Sequence, residues 1–384
     1  MLVVDDSALF REVIARGIST DPGIFVVATA GDPFEARDHI LRHHPDVMIC
    51  DVHMPKMNGI EFLRRLLPQY PLPVIVVSAV SSTVFDALNA GAIDFVRKPD
   101  SRLANIEKFL EELIEKIRIA SRAKVVRPAS VTDGRFAGRA TGKADSRADG
   151  RPVERTGDRP GKKDPGDRMG KGPGGRMGRM GEPPEVRPGD LSAGGKAVRL
   201  IAIGASTGGT EAIYTLLRAL PRDIPGIVIV QHISPGFSRI FAERLNMLLP
   251  FRVKEAESGD FTEAGTVLIA PGDRHMRVKR AGDRFRVECY AGEKVSGHCP
   301  SVDVLFESVA KEAGNRSVGI LLTGMGYDGA KGLLAMRRKG ARTIGQDEES
   351  SVVYGMPKVA FELGAVEKQS PLADIPRLLL RMLG

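Results

Sequence analysis

Short apolar runs alternate along most of this chain with stretches whose apolar residues recur at helical spacing. In the first third the runs are Leu2 to Val4, Phe25 to Thr29, Val47 to Cys50, Val74 to Ser78 and Phe95 to Arg97. In the last half they are Leu200 to Ile203, Ile227 to Val230, Val267 to Ile269, Val318 to Leu322 and Thr343 to Gly345. Each reads as a buried strand, while residues between them, such as Ala212, Ile213, Leu216 and Leu217, fall on one helical face. The alternation predicts parallel sheets covered by helices on both faces, and it occurs twice. One insertion breaks the second series. Met276 to Lys279 and Phe285 to Tyr290 flank Arg280, Ala281, Gly282 and Asp283, which predicts a β-hairpin at the edge of the second sheet.

Residues 121–197 carry neither pattern. "GDRPGKKDPGDRMGKGPGGRMGRMG" repeats GDR, GKG and GRM imperfectly and is poor in aromatic and branched apolar residues. Such a segment cannot bury enough apolar surface to offset its ordering entropy, so a disordered linker is expected between domains at 1–120 and 198–384. Composition agrees: 384 residues with 42% hydrophobic suit two or three separate cores. The net charge of +8 matters mainly for its position. Between Arg122 and Arg199 there are 19 Lys or Arg against 10 Asp or Glu, which accounts for the whole imbalance. A basic arm for nucleic acid is the functional alternative. Interspersed acids and the lack of stacking aromatics other than Phe136 argue against it, so no nucleic-acid partner is expected. With no run of about 18 apolar residues and an apolar start cut short by Asp5 and Asp6, neither membrane insertion nor a signal peptide is expected, and the location predicted is the cytoplasm. The odd set Cys50, Cys289 and Cys299 supports neither a disulfide framework nor a four-ligand zinc site, so free thiols are expected.

In an open α/β sheet, reactive groups gather where strands end at their carboxyl side. In the first domain Asp5 and Asp6 follow the first strand, Asp51 the third, Ser78 the fourth and Lys98 the fifth. Three carboxylates at one mouth repel each other unless a hard cation joins them, and Mg²⁺ suits such an oxygen site. Lys98 adds a point positive charge and Ser78 a hydroxyl. Singly, strand-end aspartates are ordinary turn or helix-capping residues. Jointly, "VVDDS", "CDVHMPKMNG", "VVSA" and "DFVRKP" resemble the response-regulator receiver family over nearly the whole first domain. The resemblance implies a flavodoxin-like fold, Asp51 as phosphoryl acceptor from a histidine kinase, Mg²⁺ on Asp5, Asp6 and Asp51, and Ser78 and Lys98 in contact with the phosphoryl group. Phe95 matches the aromatic position that family members reorient on phosphorylation. The chain opens on the first strand, whereas such domains usually have a few residues before it, so the natural start is expected to lie upstream.

In the second domain "GASTG", Gly204 to Gly208, fits the G-x-S-x-G elbow that exposes a serine between strand and helix. A phosphate-cradling loop or a plain structural turn fits the same residues, although no Lys or G-x-G-x-x-G spacing supports the former. A nucleophilic Ser206 needs a base and the base an acceptor. His232, His275 and His298 are the candidate bases, and topology prefers His232, which ends a strand as Ser206 does. Asp328, in the glycine-rich "LLTGMGYDGAKGL", is the candidate acid, with Asp260, Asp273 and Asp303 also conceivable. Serine, histidine, aspartate is not the chain order of α/β-hydrolases, so this is a different scaffold.

With "IGASTGG", "VQHISPGF", "APGDRHM", "SGHCPSVDVLFESVA" and "LLTGMGYDGAKGL" in view, the domain closely resembles, from about Leu200 to Leu379, the chemotaxis receptor protein-glutamate methylesterase and glutamine deamidase family, CheB. The resemblance implies a Rossmann-like domain in which Ser206 is the nucleophile, His232 its base and Asp328 the orienting acid. Backbone N–H groups would hold the oxyanion, Thr207 by elbow geometry and Met325 by resemblance, with no cofactor there. Chemoreceptors would be the substrates, and the unphosphorylated receiver would pack over the esterase mouth. Two other classes stand beside this reading: a response regulator whose second domain only binds a partner, and an output domain acting on nucleic acid through the basic linker. Neither accounts for Ser206, His232 and Asp328 together.

Overall fold

The computed structural model describes residues 1–99, 103–124 and 198–384, so the expected linker, beyond residue 124, lies outside the described residues. In the first lobe, strands β1 (Leu2–Val4), β2 (Ala28–Ala30), β3 (Met48–Asp51), β4 (Val74–Ser78) and β5 (Asp94–Arg97) form one parallel sheet in the order β2-β1-β3-β4-β5. Helices α1 (Ala8–Ile18), α2 (Pro33–His43), α3 (Gly59–Leu66), α4 (Ser81–Asn89) and α5 (Leu103–Ala120) cover its faces. This is the flavodoxin-like order, whose switch point lies between β1 and β3. Val4 pairs with Cys50, so Asp5 and Asp51 emerge side by side. Period-two side-chain alternation splits the core. Val3, Ile49, Ile75 and Val77 pack with Ile14, Phe109 and Leu113, while Leu2, Met48, Val74 and Val76 pack with Ile40, Phe62 and Leu63 on the other face.

The second lobe runs β6 (Leu200–Ala205), α6 (Gly209–Arg218), β7 (Gly226–Gln231), α7 (Phe237–Leu248), β8 (Arg252–Glu255), β9 (Thr266–Ile269), β10 (His275–Ala281), β11 (Arg284–Tyr290), α8 (Val302–Glu312), β12 (Ser317–Leu321), α9 (Ala330–Arg338), β13 (Arg342–Gln346), α10 (Met356–Glu362), β14 (Lys368–Ser370) and α11 (Ile375–Leu383). Seven strands pair in parallel in the order β14-β13-β12-β6-β7-β9-β8. The winding reverses between β6 and β12, where a doubly wound sheet opens its crevice. Both expected α/β domains are thus present.

Two expectations need correction, and two strands were not expected. Phe25 to Thr29 is not one strand: β1 is only three residues long, so only Ala28–Ala30 can pair with it, and Phe25 is 79% exposed. The hairpin does not join the edge of the second sheet. Strands β10 and β11 form their own antiparallel pair, turned by Gly282 and Asp283. Met276, Val278, Phe285 and Val287 pack in one cluster with Leu200, Ala202, Val228 and Leu268 of the sheet and Phe306 of α8, so the hairpin covers part of a sheet face. Finally, edge strands β8 and β14 escape the pattern because "RVKE" and "KQS" carry almost no apolar residues.

Residues 1–124 and 198–384 belong to one compact unit. Phe85 stacks on Phe241 at 5.5 Å between centroids, and Phe95 meets Phe237 at 4.5 Å. Around these rings Arg244 donates to Asp86 at 2.9 Å, Ser234 Oγ to Glu112 at 3.1 Å, and the Lys124 N–H to Val352 O at 2.9 Å. The second-lobe core makes a test possible. Phe306 is wholly buried between α9 and the hairpin cluster. Phe306→Ala should cost about 3–5 kcal/mol through lost transfer energy and an unfilled cavity. A lower urea midpoint at an unchanged slope would record that loss.

Candidate active site

Strand β6 ends at Ala205, and Ser206 occupies the turn into α6 as the elbow pattern predicts. The Ser206 N–H donates to Thr323 O at 3.0 Å, and its carbonyl accepts from the Gly209 N–H at 2.7 Å. Gly208 holds φ at +75°, which any larger residue would strain, and a side chain on Gly209 would strike Ala205 Cβ at 2.7 Å. Ala205 pairs with Gln231 across β6 and β7, so Ser206 and His232 leave neighbouring strands in step. Gln231 fastens them together: its Nε2 donates to Ser206 O at 2.8 Å and to His232 O at 3.1 Å.

His232 Nε2 lies 2.8 Å from Asp328 Oδ2. The Asp328 carboxylate is buried and also accepts from Ser301 Oγ at 2.8 Å, the Val302 N–H at 2.7 Å and the Asp303 N–H at 2.9 Å. Burial alone would push this carboxyl upward, but the bonds from His232, Asp303 and Val302 outweigh it and hold the group below the usual carboxylate range. An ionised carboxylate only accepts, so Nε2 of His232 bears the proton and Nδ1 the free lone pair. That Nδ1 is buried and has no partner among the described residues.

The backbone at Gly324 passes close over the serine: a side chain there would stand 2.7 Å from Ser206 Cβ. Among the described residues, the Thr207 and Met325 N–H groups donate to no acceptor. Residues Asp94, Phe95 and Lys116 of the first lobe join Ser206, Thr207, Gln231 and His232 around a narrow crevice of about 10 Å³, room for about one water centre. Thr207 Oγ1 donates to Asp94 Oδ2 at 3.2 Å, and Lys116 Nζ to Asp94 Oδ1 at 2.5 Å.

The remaining candidates sort by their contacts. His275 is a structural residue, with Nε2 against Glu293 O at 2.8 Å and Nδ1 accepting from the Ser301 N–H at 3.2 Å. Asp260 accepts from the Glu257 N–H, Asp273 is exposed beside Arg274, and Asp303 accepts from Ser296 Oγ and the Gly332 N–H. None of the three touches His232. Ser301 and Gln231 were not anticipated. Ser301 is legible afterwards as the N-cap of α8 in "CPSVD", but its bond to Asp328 follows from tertiary placement alone.

At the mouth of the first sheet, ligand oxygens of Asp5, Asp6 and Asp51 lie within 4.8 Å of one another. Lys98 Nζ sits 2.7 Å from Asp5 Oδ2 and also binds Asp51. Asp5 Oδ2 is buried with the Lys98 ammonium as its ion-pair partner, and burial foremost raises its carboxyl. Three carboxylates facing one ammonium leave net negative charge, and such an all-oxygen cluster fits a hard cation such as Mg²⁺. Ser78 Oγ is turned to Val80 and Thr83, at 3.1 and 3.2 Å, rather than to Asp51. Phe95 is buried with Lys116 Nζ 5.3 Å from its ring centre.

Residues 201–379 match the family model for CheB methylesterase, and residues 1–109 that for the response regulator receiver domain. A protein-glutamate methylesterase/protein-glutamine glutaminase 2 from Syntrophomonas wolfei subsp. wolfei is 53% identical over 100% of this chain and 97% of its own length. A relative of the same name, without the numeral, from Syntrophotalea carbinolica is 43% identical over 98% of this chain and 96% of its own. The crystal structure of the Thermotoga maritima CheB methylesterase catalytic domain aligns at 34% identity and a TM-score of 0.47, covering 49% of this chain and 100% of that one.

The donors around Asp328 can be tested by acid. Because its folded carboxyl lies below the ordinary 3.8, Asp328 contributes stability in full above that value and loses it as the pH falls through the folded one. Ser301→Ala removes one donor to a charged acceptor, at a cost of about 1.5–3 kcal/mol, and shifts the folded carboxyl upward. Circular dichroism should record acid unfolding of Ser301→Ala at a higher pH than wild type.

Proposed function

Since the chain belongs to the protein-glutamate methylesterase/protein-glutamine glutaminase family, with a receiver domain ahead of its catalytic one, we propose that it works through Ser206, His232 and Asp328. The enzyme hydrolyses glutamate methyl esters and deamidates glutamines under control of the receiver. The observation that carries the site assignment is the buried Asp328 carboxylate on His232 Nε2, which leaves Nδ1 without a partner among the described residues, at the strand end beside that of Ser206.

Ser206 Oγ attacks the side-chain ester carbonyl while His232 Nδ1 takes its proton. The tetrahedral oxyanion is met by the Thr207 and Met325 N–H groups, which have no other acceptor among the described residues. Collapse expels the methoxy group, which takes the proton from Nδ1 and departs as methanol, leaving the acyl group on Ser206 Oγ. Water then attacks, gives its proton to Nδ1, and releases a glutamate carboxyl as the proton returns to Oγ. A glutamine side chain follows the same course with ammonia leaving. Asp328 holds the tautomer and stabilises the imidazolium at each transfer. Methyl-accepting chemoreceptors are the substrates this reading assigns, reached from the cytoplasm. No helix among the described residues is long and apolar enough to cross a membrane.

Control follows from the contact between lobes. A histidine kinase phosphorylates Asp51, and Asp5, Asp6 and Asp51 would hold a Mg²⁺ ion that neutralises the phosphoryl oxygens, with Lys98 alongside. Ser78 would turn from Thr83 toward the phosphoryl group, and Phe95, packed on Phe237, carries the change to the esterase mouth. Coupling of about 1–3 kcal/mol corresponds to roughly 5–150-fold activation.

Methanol release from methylated receptor, measured with and without a small phosphodonor, tests both parts. Ser206→Ala should retain less than about a tenth of the rate with its fold intact, and Asp328→Asn should lower kcat by about 10³–10⁴ with KM little changed. Full activity in either variant would reject the assignment. Asp51→Asn should give one rate whether or not the phosphodonor is added, and any surviving response would move the phosphoryl site elsewhere.

A further inference from the structure

Proton transfer through His232 requires its ring to stay in one rotamer, with Nε2 on Asp328 and Nδ1 free. The bond to Asp328 fixes one edge of the ring. Rotation about that bond is limited only by what lies on the ring faces. His298 lies on one of them, with centroids 3.7 Å apart and planes 15° from parallel.

This ring is held there by its backbone. Val295 and His298 exchange two N–H to O bonds of 3.0 Å across Ser296 and Gly297. Both turn residues have positive φ, +52° and +87°, the geometry of the tightest two-residue hairpin turn. A serine in the left-handed region is uncommon and persists where its surroundings hold it. Here Ser296 Oγ donates to Asp303 Oδ2 at 2.8 Å, and Asp303 Oδ1 accepts from the Gly332 N–H at 2.8 Å. The turn is therefore pinned to the first turns of α8 and α9, the same helix ends that flank Asp328. His298 and Asp328 share one mount.

The ring of His298, unlike that of His275, makes no hydrogen bond or ion pair among the described residues. Burial foremost, with His232 next, pushes its imidazole down to about 4, so it is neutral at the pH of the reaction. A neutral aromatic face can lie against a ring that becomes a cation during turnover and stabilise it, whereas a second cation there would oppose the transfer. The charged groups around the pair are Asp328, Lys294 and, from the first lobe, Asp94 and Lys116.

We propose that His298 is a positioning residue for ester and amide hydrolysis: clamped by the Val295 to His298 turn, its ring stacks on His232, locks the rotamer that frees Nδ1, and supports the imidazolium formed there. The inference rests on Ser206, His232 and Asp328 being the catalytic set.

The test uses the full chain activated by phosphodonor. His298→Ala should lower kcat about 10–100-fold with KM within about twofold, and the acid limb of the kcat/KM profile should move to lower pH. His298→Phe restores a flat ring with no titrating nitrogen and should recover activity to within about threefold of wild type. Ser296→Ala, which loosens the turn but leaves both rings, should give an intermediate rate. Nitrogen-15 shifts of the His232 ring supply a readout apart from activity: one tautomer in wild type and His298→Phe, a mixture in His298→Ala. If His298→Ala keeps its kcat and its pH profile, or if His298→Phe is as impaired as His298→Ala, the proposal is overturned. His232→Gln in the same series separates the two levels. Activity surviving in that variant would remove the catalytic set itself, whereas its loss alongside an unaffected His298→Ala would remove only the role of His298.

Discussion

The buried carboxylate of Asp328 is the constraint on which the catalytic lobe depends. A charge taken out of water costs several kcal/mol unless donors surround it. Its donors here come from three places: the hydroxyl of Ser301, the first two N–H groups of α8, and His232 at the end of β7. The N-terminus of a helix suits this task, because its first N–H groups have no intrahelical acceptor. None of these parts can drift without uncovering the charge. The same carboxylate therefore sets the histidine tautomer and the placement of α8, and through Asp303 and Ser296 the turn that carries His298.

Among the contacts between the lobes, one span of five residues, Asp94 to Lys98, reaches from the acidic mouth of the first sheet to the second lobe. Asp94 of β5 accepts from Thr207 beside the serine, and Phe95 packs on Phe237. Lys98, just past the end of β5, binds Asp5 and Asp51, while its N–H donates to Ser78 O at 3.0 Å. The acidic mouth of the first sheet and the crevice at Ser206 are thus opposite ends of one short extended segment. A strand cannot take up a local change in its middle without moving its side chains on both faces, so a rearrangement at Lys98 or Ser78 has a short path to Thr207.

Much of this was legible in the sequence because the chemistry sits at strand ends and the strands are long apolar runs. Val47 to Cys50 leads to Asp51, Ile227 to Val230 to His232, and Leu200 to Ile203 to Ser206. Interior strands of a parallel sheet must be apolar on both faces, so their ends are easy to find. Strands β8 and β14 are edges with mixed sides, and nothing in "RVKE" or "KQS" separates them from loop. The seat of the hairpin was hidden because two apolar rows specify that something is covered without specifying what. For His298 the residue type was visible, but stacking depends on a turn, a helix end and a neighbouring strand at once.

The closed crevice at Ser206 has one further consequence. Its roughly 10 Å³ has room for about one water centre and none for a glutamyl side chain. The contact between the lobes is therefore a filter on size: while it holds, the serine can meet solvent but not the ester or amide of a protein chain. Under the proposed function the lobes must part for acylation, whereas the water of the second half-reaction needs no such opening.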